Sequence, residues 1–204
     1  MLTRIAVLVS GGGTNLQALL DAEAAGRLPD GHIALVISNK ADAYALTRAE
    51  RAGVPSLVIQ AARGPAGQAE FEEKLQAALT ENGIELIILA GFLRILTESF
   101  TSRWPKRILN VHPSLIPSFC GEGFYGLKVH QAALDYGVKV TGATVHFVNE
   151  IPDGGEIILQ KAVYIEPNDT AETLQQRVMV EAEHKLLPQA AQLVSQKIRE
   201  AKNK

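Results

Sequence analysis

Apolar residues fall in short, dense blocks along the first half of the chain, separated by stretches of helix length in which they are spaced more widely. Arg4–Ser10 (RIAVLVS), Ile33–Ser38, Ser56–Ile59, Glu85–Leu89 (ELIIL) and Arg107–His112 read as strands. Between them, Asn15–Glu23, Asp42–Ala52 and Gln68–Glu81 carry the periodicity of amphipathic helices. Asp42 is the expected N-cap of the second, and Asn82-Gly83 closes the third. Strand blocks with little polar alternation are what a sheet covered on both faces requires. The pattern predicts an α/β fold, a doubly wound, mostly parallel sheet with helices on both faces.

The second half changes style. Leu127–Asp135 reads as a helix, and Val138–Val148 and Glu156–Tyr164 as strands either side of a Pro152-Asp153-Gly154-Gly155 turn, an antiparallel C-terminal extension of the sheet. Thr170 is a good N-cap, but Thr173 stands where a capping box calls for Glu or Gln, so no box is expected. The helix that follows is expected to run to about Leu187, with Pro188 kinking it or starting another, and the basic Lys197–Lys204 end to fray. Ser118–Gly126, with three glycines and three aromatics, reads as a mobile or ligand-facing loop.

Composition narrows the function classes. The 204 residues are 47% hydrophobic, with no repeat and no linker, which predicts one domain over 1–204. A net charge of −2 gives no electrostatic case for nucleic acid or an anionic membrane. The lone Cys120 excludes an intramolecular disulfide and a cysteine-rich zinc site. The apolar run at residues 4–10 is too short for a signal segment or a membrane span, so a cytoplasmic protein is expected.

Three places carry candidate chemistry. In Asn110-Val-His-Pro-Ser-Leu-Ile-Pro117, Asn110 and His112 lie two apart at the end of a strand that Pro113 stops, so both face the same way. An amide that can donate to a carbonyl oxygen beside an imidazole that can move protons suits acyl-type chemistry. It stands where open α/β sheets bind ligands. Second, Ser10-Gly11-Gly12-Gly13-Thr14-Asn15 joins a strand to a helix. Glycines and a helix N-terminus suit a phosphate, whereas Leu16 replaces the glycine a dinucleotide fingerprint needs. Third, Asp153 sits in a turn whose preceding strand presents Thr144, His146 and Val148 on one face. If that strand runs beside the one carrying His112, the carboxylate would reach the imidazole and raise its pKa.

The remaining histidines read more blandly. His32 and His184 fit structural roles, His130 a helix surface, and His146 support behind the site. His112, His146 and Asp153 match no compact ligand motif, so no metal is expected. Cys120 has no adjacent base and reads as a bystander.

Ser10–Asn15, Ala90-Gly91-Phe92-Leu93-Arg94-Ile95-Leu96, Asn110–Pro117 and Asp153-Gly154-Gly155 together resemble the folate-dependent formyltransferases, over nearly the whole chain and in the same order. The Asn-x-His-Pro-Ser-Leu-x-Pro signature belongs to the wider superfamily. The glycine loop and the chain length narrow the resemblance to the phosphoribosylglycinamide formyltransferases. The resemblance implies formyl transfer from 10-formyltetrahydrofolate, as co-substrate, to the amine of glycinamide ribonucleotide in purine synthesis, with no metal and no covalent enzyme intermediate. It implies Asn110, His112 and Asp153 as the catalytic trio. Gly11, Gly12, Gly13, Thr14 and Asn15 would take the phosphoribosyl substrate, with Glu183 on its ribose. Leu93, Arg94, Ile95, Leu96, Asn110, Ile151 and Asp153 would form the folate pocket. Gln68 stands where some members carry a basic folate-binding residue, with Arg63 nearby. Residues of about 1–100 would then bind phosphate and about 101–204 complete the catalytic and folate site. Small-molecule partners are implied, and a homodimer is left open.

Other readings differ in what they need. A formyltetrahydrofolate hydrolase would keep the Asn110–His112 pair but is expected to carry a further N-terminal domain. A methionyl-transfer-RNA formyltransferase would need an RNA-binding domain and a basic surface. A non-catalytic binder of a phosphorylated metabolite would have no use for His112.

Overall fold

In the computed structural model, which describes residues 1–62 and 64–202, one seven-stranded sheet runs through the molecule in the order β3-β2-β1-β4-β5-β6-β7. The strands are β1 (Thr3–Val9), β2 (Gly31–Ser38), β3 (Ser56–Val58), β4 (Leu86–Leu89), β5 (Ile108–His112), β6 (Val140–Phe147) and β7 (Ile157–Tyr164). The first five are parallel, and β6 and β7 continue the sheet antiparallel, as the change of pattern in the second half predicts.

The dense apolar blocks divide by parity. Ile5, Val7 and Val9 of β1 enter one core, with Leu86 and Ile88 of β4 and the C-terminal helices. Ala6 and Leu8 enter the other, with Ile87 and Leu89, Phe71, Leu75 and Phe100. Alternate side chains point to opposite faces, so a strand apolar at every position is held only between two helical layers. Those layers are α1 (Thr14–Ala24), α2 (Tyr44–Arg51), α3 (Gly64–Glu81), α4 (Glu98–Thr101), α5 (Leu127–Tyr136), α6 (Ala171–Val178) and α7 (His184–Lys202). The chain order reverses between β1 and β4, which places a crevice at their carboxyl ends. The Leu93 N–H donates to Ser10 Oγ there, tying the loop after β4 to the end of β1.

Several local expectations fail for identifiable reasons. Asp42 does not cap α2; the helix starts after Ala43, and its Ala45 N–H is taken by the Gly11 carbonyl of the glycine loop. A capping box does form at Thr170. The Thr173 N–H donates to the Thr170 hydroxyl, and the Thr173 hydroxyl accepts from the Thr170 N–H, as a Glu side chain otherwise would. Pro188 lies inside α7. The irregularity comes earlier, as a π turn over Met179–Glu183. The C-terminal end is pinned as far as Lys202, which pairs with Glu85 while Arg199 pairs with Asp30; residues 203–204 lie outside the described residues. Among the described residues no helix is long and apolar enough to cross a membrane.

Candidate active site

A cavity of about 690 Å³ opens at the carboxyl ends of β4 and β5. β5 presents Asn110 and His112 on its cavity side, and β6 runs antiparallel beside it with Asn110 opposite His146 and His112 opposite Thr144. The turn after β6 brings Asp153 back over this pair. Its carboxylate Oδ2 lies 3.4 Å from His112 Nδ1, and its Oδ1 lies 3.5 Å from His146 Nε2. Asp153 reaches this position with φ of +56°, a conformation that Asp tolerates better than most residues.

Hydrogen-bond logic assigns the protons. His112 Nε2 lies 2.9 Å from the Phe119 carbonyl, which can only accept, so Nε2 carries a hydrogen and Nδ1, facing Asp153, is the nitrogen that titrates. His146 Nδ1 likewise donates to the Phe147 carbonyl, and its Nε2 lies 3.2 Å from the Asn110 amide nitrogen. The same amide donates to Asp153 Oδ1 at 3.4 Å, and the Gly121 N–H donates to Oδ2 at 2.9 Å. The loop before α5 therefore holds both members of the dyad through its backbone. Phe119 does so from φ of +50°, which costs a bulky residue about 1–2 kcal/mol. Its ring, packed against Phe124 and Tyr136, helps keep it there.

The Asp153 carboxylate pulls the His112 pKa upward, as expected, but it is not the largest influence. Burial lowers the His112 pKa, and this outweighs the upward pull of Asp153 and of the Phe119 carbonyl, so the net shift is down, not up. For Asp153, burial works upward. The His146 contact, the His112 charge and the Gly121 N–H together overcome it and hold the carboxyl below its ordinary value, ionised at neutral pH.

The other sequence-predicted residues divide. Asn15 and Glu183 also line the cavity, and the Asn15 amide donates to the Glu183 carboxylate at 2.7 Å. Glu183 stands at the end of the π turn, and burial pushes its pKa up against the opposing Asn15 bond. Leu93, Arg94, Ile95, Leu96 and Ile151 line the cavity as well, and Leu93, Ile95 and Ile151 stand largely exposed. Gly11, Gly12, Gly13 and Thr14 lie outside the cavity wall. Gly11 and Gly12 face open space, whereas Gly13 is required by the chain path: its φ is +71° and a Cβ would come within 2.7 Å of Ala45. Thr14 instead borders a smaller cleft of about 360 Å³ with Arg27, Arg48 and His184.

Gln68 does not line the cavity either. Its amide binds the Ile95 carbonyl and the Glu72 carboxylate, and its oxygen accepts from Arg94. Arg63 lies outside the described residues. Among the described residues no group of three His, Cys, Asp or Glu side chains is placed to hold a metal ion.

Sequence reading missed three contributors. Buried Glu72 accepts from the N–H and hydroxyl of Thr97 and so anchors the Leu93–Leu96 loop to α3; a carboxylate on the inner face of an amphipathic helix was the available signal. Arg48 donates to the Gly12 carbonyl at 2.8 Å, and nothing in its helical spacing singles it out. His130 is not on a helix surface but is 1% exposed and part of the cavity wall.

Comparison with known proteins shows the family. Residues 3–191 match the sequence profile of the Formyl transferase family. The phosphoribosylglycinamide formyltransferase of Haemophilus influenzae is 44% identical over 185 residues, covering 91% of this chain and 84% of that one. The trifunctional purine biosynthetic protein adenosine-3 of Bos taurus is 47% identical over 194 residues, 94% of this chain, which spans only 18% of that longer relative. The crystal structure of glycinamide ribonucleotide transformylase 1 from Symbiobacterium toebii superposes with a TM-score of 0.87 at 44% identity, covering 96% of this chain and 89% of that one. The chain belongs to the Formyl transferase family, among its phosphoribosylglycinamide formyltransferases.

Proposed function

We propose that this protein transfers the formyl group of 10-formyltetrahydrofolate to the amine of 5′-phosphoribosylglycinamide, a step of purine biosynthesis. The observation that carries the reading is a single cavity that joins the His112–Asp153 corner to the Asn15–Glu183 pair and is lined as well by apolar Leu93, Ile95 and Ile151. A flat, partly apolar pterin suits these three side chains. The ribose hydroxyls suit the Glu183 carboxylate, and the phosphate lies toward the glycine loop and Arg48.

The amine attacks the formyl carbon, forming an N–C bond and a tetrahedral intermediate with a negative oxygen. Asn110 donates to that oxygen with the hydrogen now in its longer contact, 3.4 Å to Asp153. His112, protonated at Nδ1 and paired with Asp153, is the second stabilising group. Each such donor is worth roughly 10²–10³ in rate. The bond from the carbon to folate nitrogen N10 then breaks, and the proton lost by the attacking amine passes to N10 through His112, directly or by way of water. Tetrahydrofolate and the formylated ribonucleotide leave. Asp153 stabilises the imidazolium that burial disfavours.

Hydrolysis of the formyl donor is the less favoured reading, because it gives the buried Asn15–Glu183 pair no work. Purified protein mixed with 10-formyltetrahydrofolate, followed by absorbance with and without the ribonucleotide, tests this. Tetrahydrofolate release is expected only when both are present; release at the same rate without the ribonucleotide would replace the transferase with a hydrolase.

A further inference from the structure

His130 is the fourth residue of α5, 1% exposed, and one of the residues that line the cavity. Neither ring nitrogen has a hydrogen-bond partner among the described residues. An uncharged imidazole presents one donor and one acceptor, and leaving such groups buried and unmade costs about 1–3 kcal/mol each. Buried polar groups in folded proteins are nearly always paired, so a buried ring left without partners beside a cavity points to a ligand that supplies one. Burial and the nearby charge of His112 push the His130 pKa down to about 4, so the ring presents this donor and acceptor throughout the neutral range.

Its place on the wall says which ligand. α5 packs against α6, and the cavity lining on these elements continues through Gln175 and Met179 to Glu183. The buried Asn15 Oδ1 is also without a partner among the described residues. Every hydrogen-bonding atom of the Asn110–Asp153 corner named above, by contrast, has one.

We propose that His130 hydrogen-bonds the glycinamide portion of the acceptor ribonucleotide and aims its amine at the formyl carbon. The assignment rests on the formyl-transfer reading and makes His130 a specificity-determining residue on the acceptor side. A ring nitrogen of His130 can pair with the amine or amide groups that glycinamide carries.

The test is the affinity of His130→Phe for 5′-phosphoribosylglycinamide and, separately, for tetrahydrofolate, by calorimetry. His130→Ala, which removes the same groups without adding bulk, carries the test if the phenylalanine variant fails to fold. Ribonucleotide binding is expected to weaken about tenfold or more, with tetrahydrofolate binding and melting temperature held. Unchanged ribonucleotide affinity, or equal loss of both ligands in a folded variant, would overturn the assignment. Wild-type protein with no affinity for the ribonucleotide would instead sink the formyl-transfer reading on which the assignment stands, and that result appears before any variant is made.

Discussion

The two sides of the cavity differ in how their polar groups are satisfied. At the β5–β6 corner, Asn110, His112, His146 and Asp153 partner one another and the backbone of Phe119, Phe147 and Gly121. On the α5–α6 side, Asn15 and Glu183 share one bond, while Asn15 Oδ1 and both His130 nitrogens go without a partner among the described residues. The first region is organised before any ligand arrives, as groups that must meet a developing charge need to be. The second leaves its hydrogen bonds to be completed by whatever enters, which is how a site rejects ligands that lack the right groups.

If that contrast holds, the largest effect belongs to the preorganised corner. His112→Ala is expected to lower kcat by about 10³-fold or more while tetrahydrofolate affinity and melting temperature stay near wild type. A kcat within tenfold of wild type would remove the imidazole from the chemistry. A smaller and different loss is expected across the cavity. Glu183→Ala should raise KM for the ribonucleotide roughly ten- to hundredfold, as removal of a charged hydrogen-bond acceptor does, with KM for the formyl donor little changed. Equal increases in both constants would mean that the two sides are not distinct.

The smallest effect is a displacement of the pH profile. Ionised Asp153 raises the His112 pKa against burial, so Asp153→Asn leaves burial unopposed and lowers that pKa further. Activity that depends on the imidazolium falls as pH rises through this pKa, and in the variant it should fall at lower pH. A pH–rate series on both proteins reads this directly, and a limb that stays in place or moves upward would contradict the role given to Asp153.

Much of this architecture was legible along the chain, though unevenly. The parallel strands were readable because burial on both faces demands unbroken apolar blocks, as in Val7–Leu8–Val9, whose side chains divide between two cores. Asn110 and His112 were readable because a two-residue spacing in a strand fixes a shared face. Helix ends were less so. Asp42 lost its capping role to a carbonyl 31 positions earlier, at Gly11, and Thr173 took the part reserved for a longer acidic side chain. His130 looked like a surface residue because a ten-residue helix with a modest apolar face does not declare which side meets a cavity.

The sequence by itself determined the order and type of the main elements, the strand-end amide and imidazole, and the glycine turn at Gly13. These follow from forces acting over a few residues: sterics, side-chain alternation and local hydrogen bonds. The tertiary structure alone decided that Asp153 meets His112 across the β5–β6 register and that Asn15 meets Glu183 over 168 positions of chain. It also decided that burial, not the carboxylate, sets the direction of the His112 pKa shift. Desolvation and long-range pairing depend on what the closed fold places around a group, and that is not written in the residues beside it.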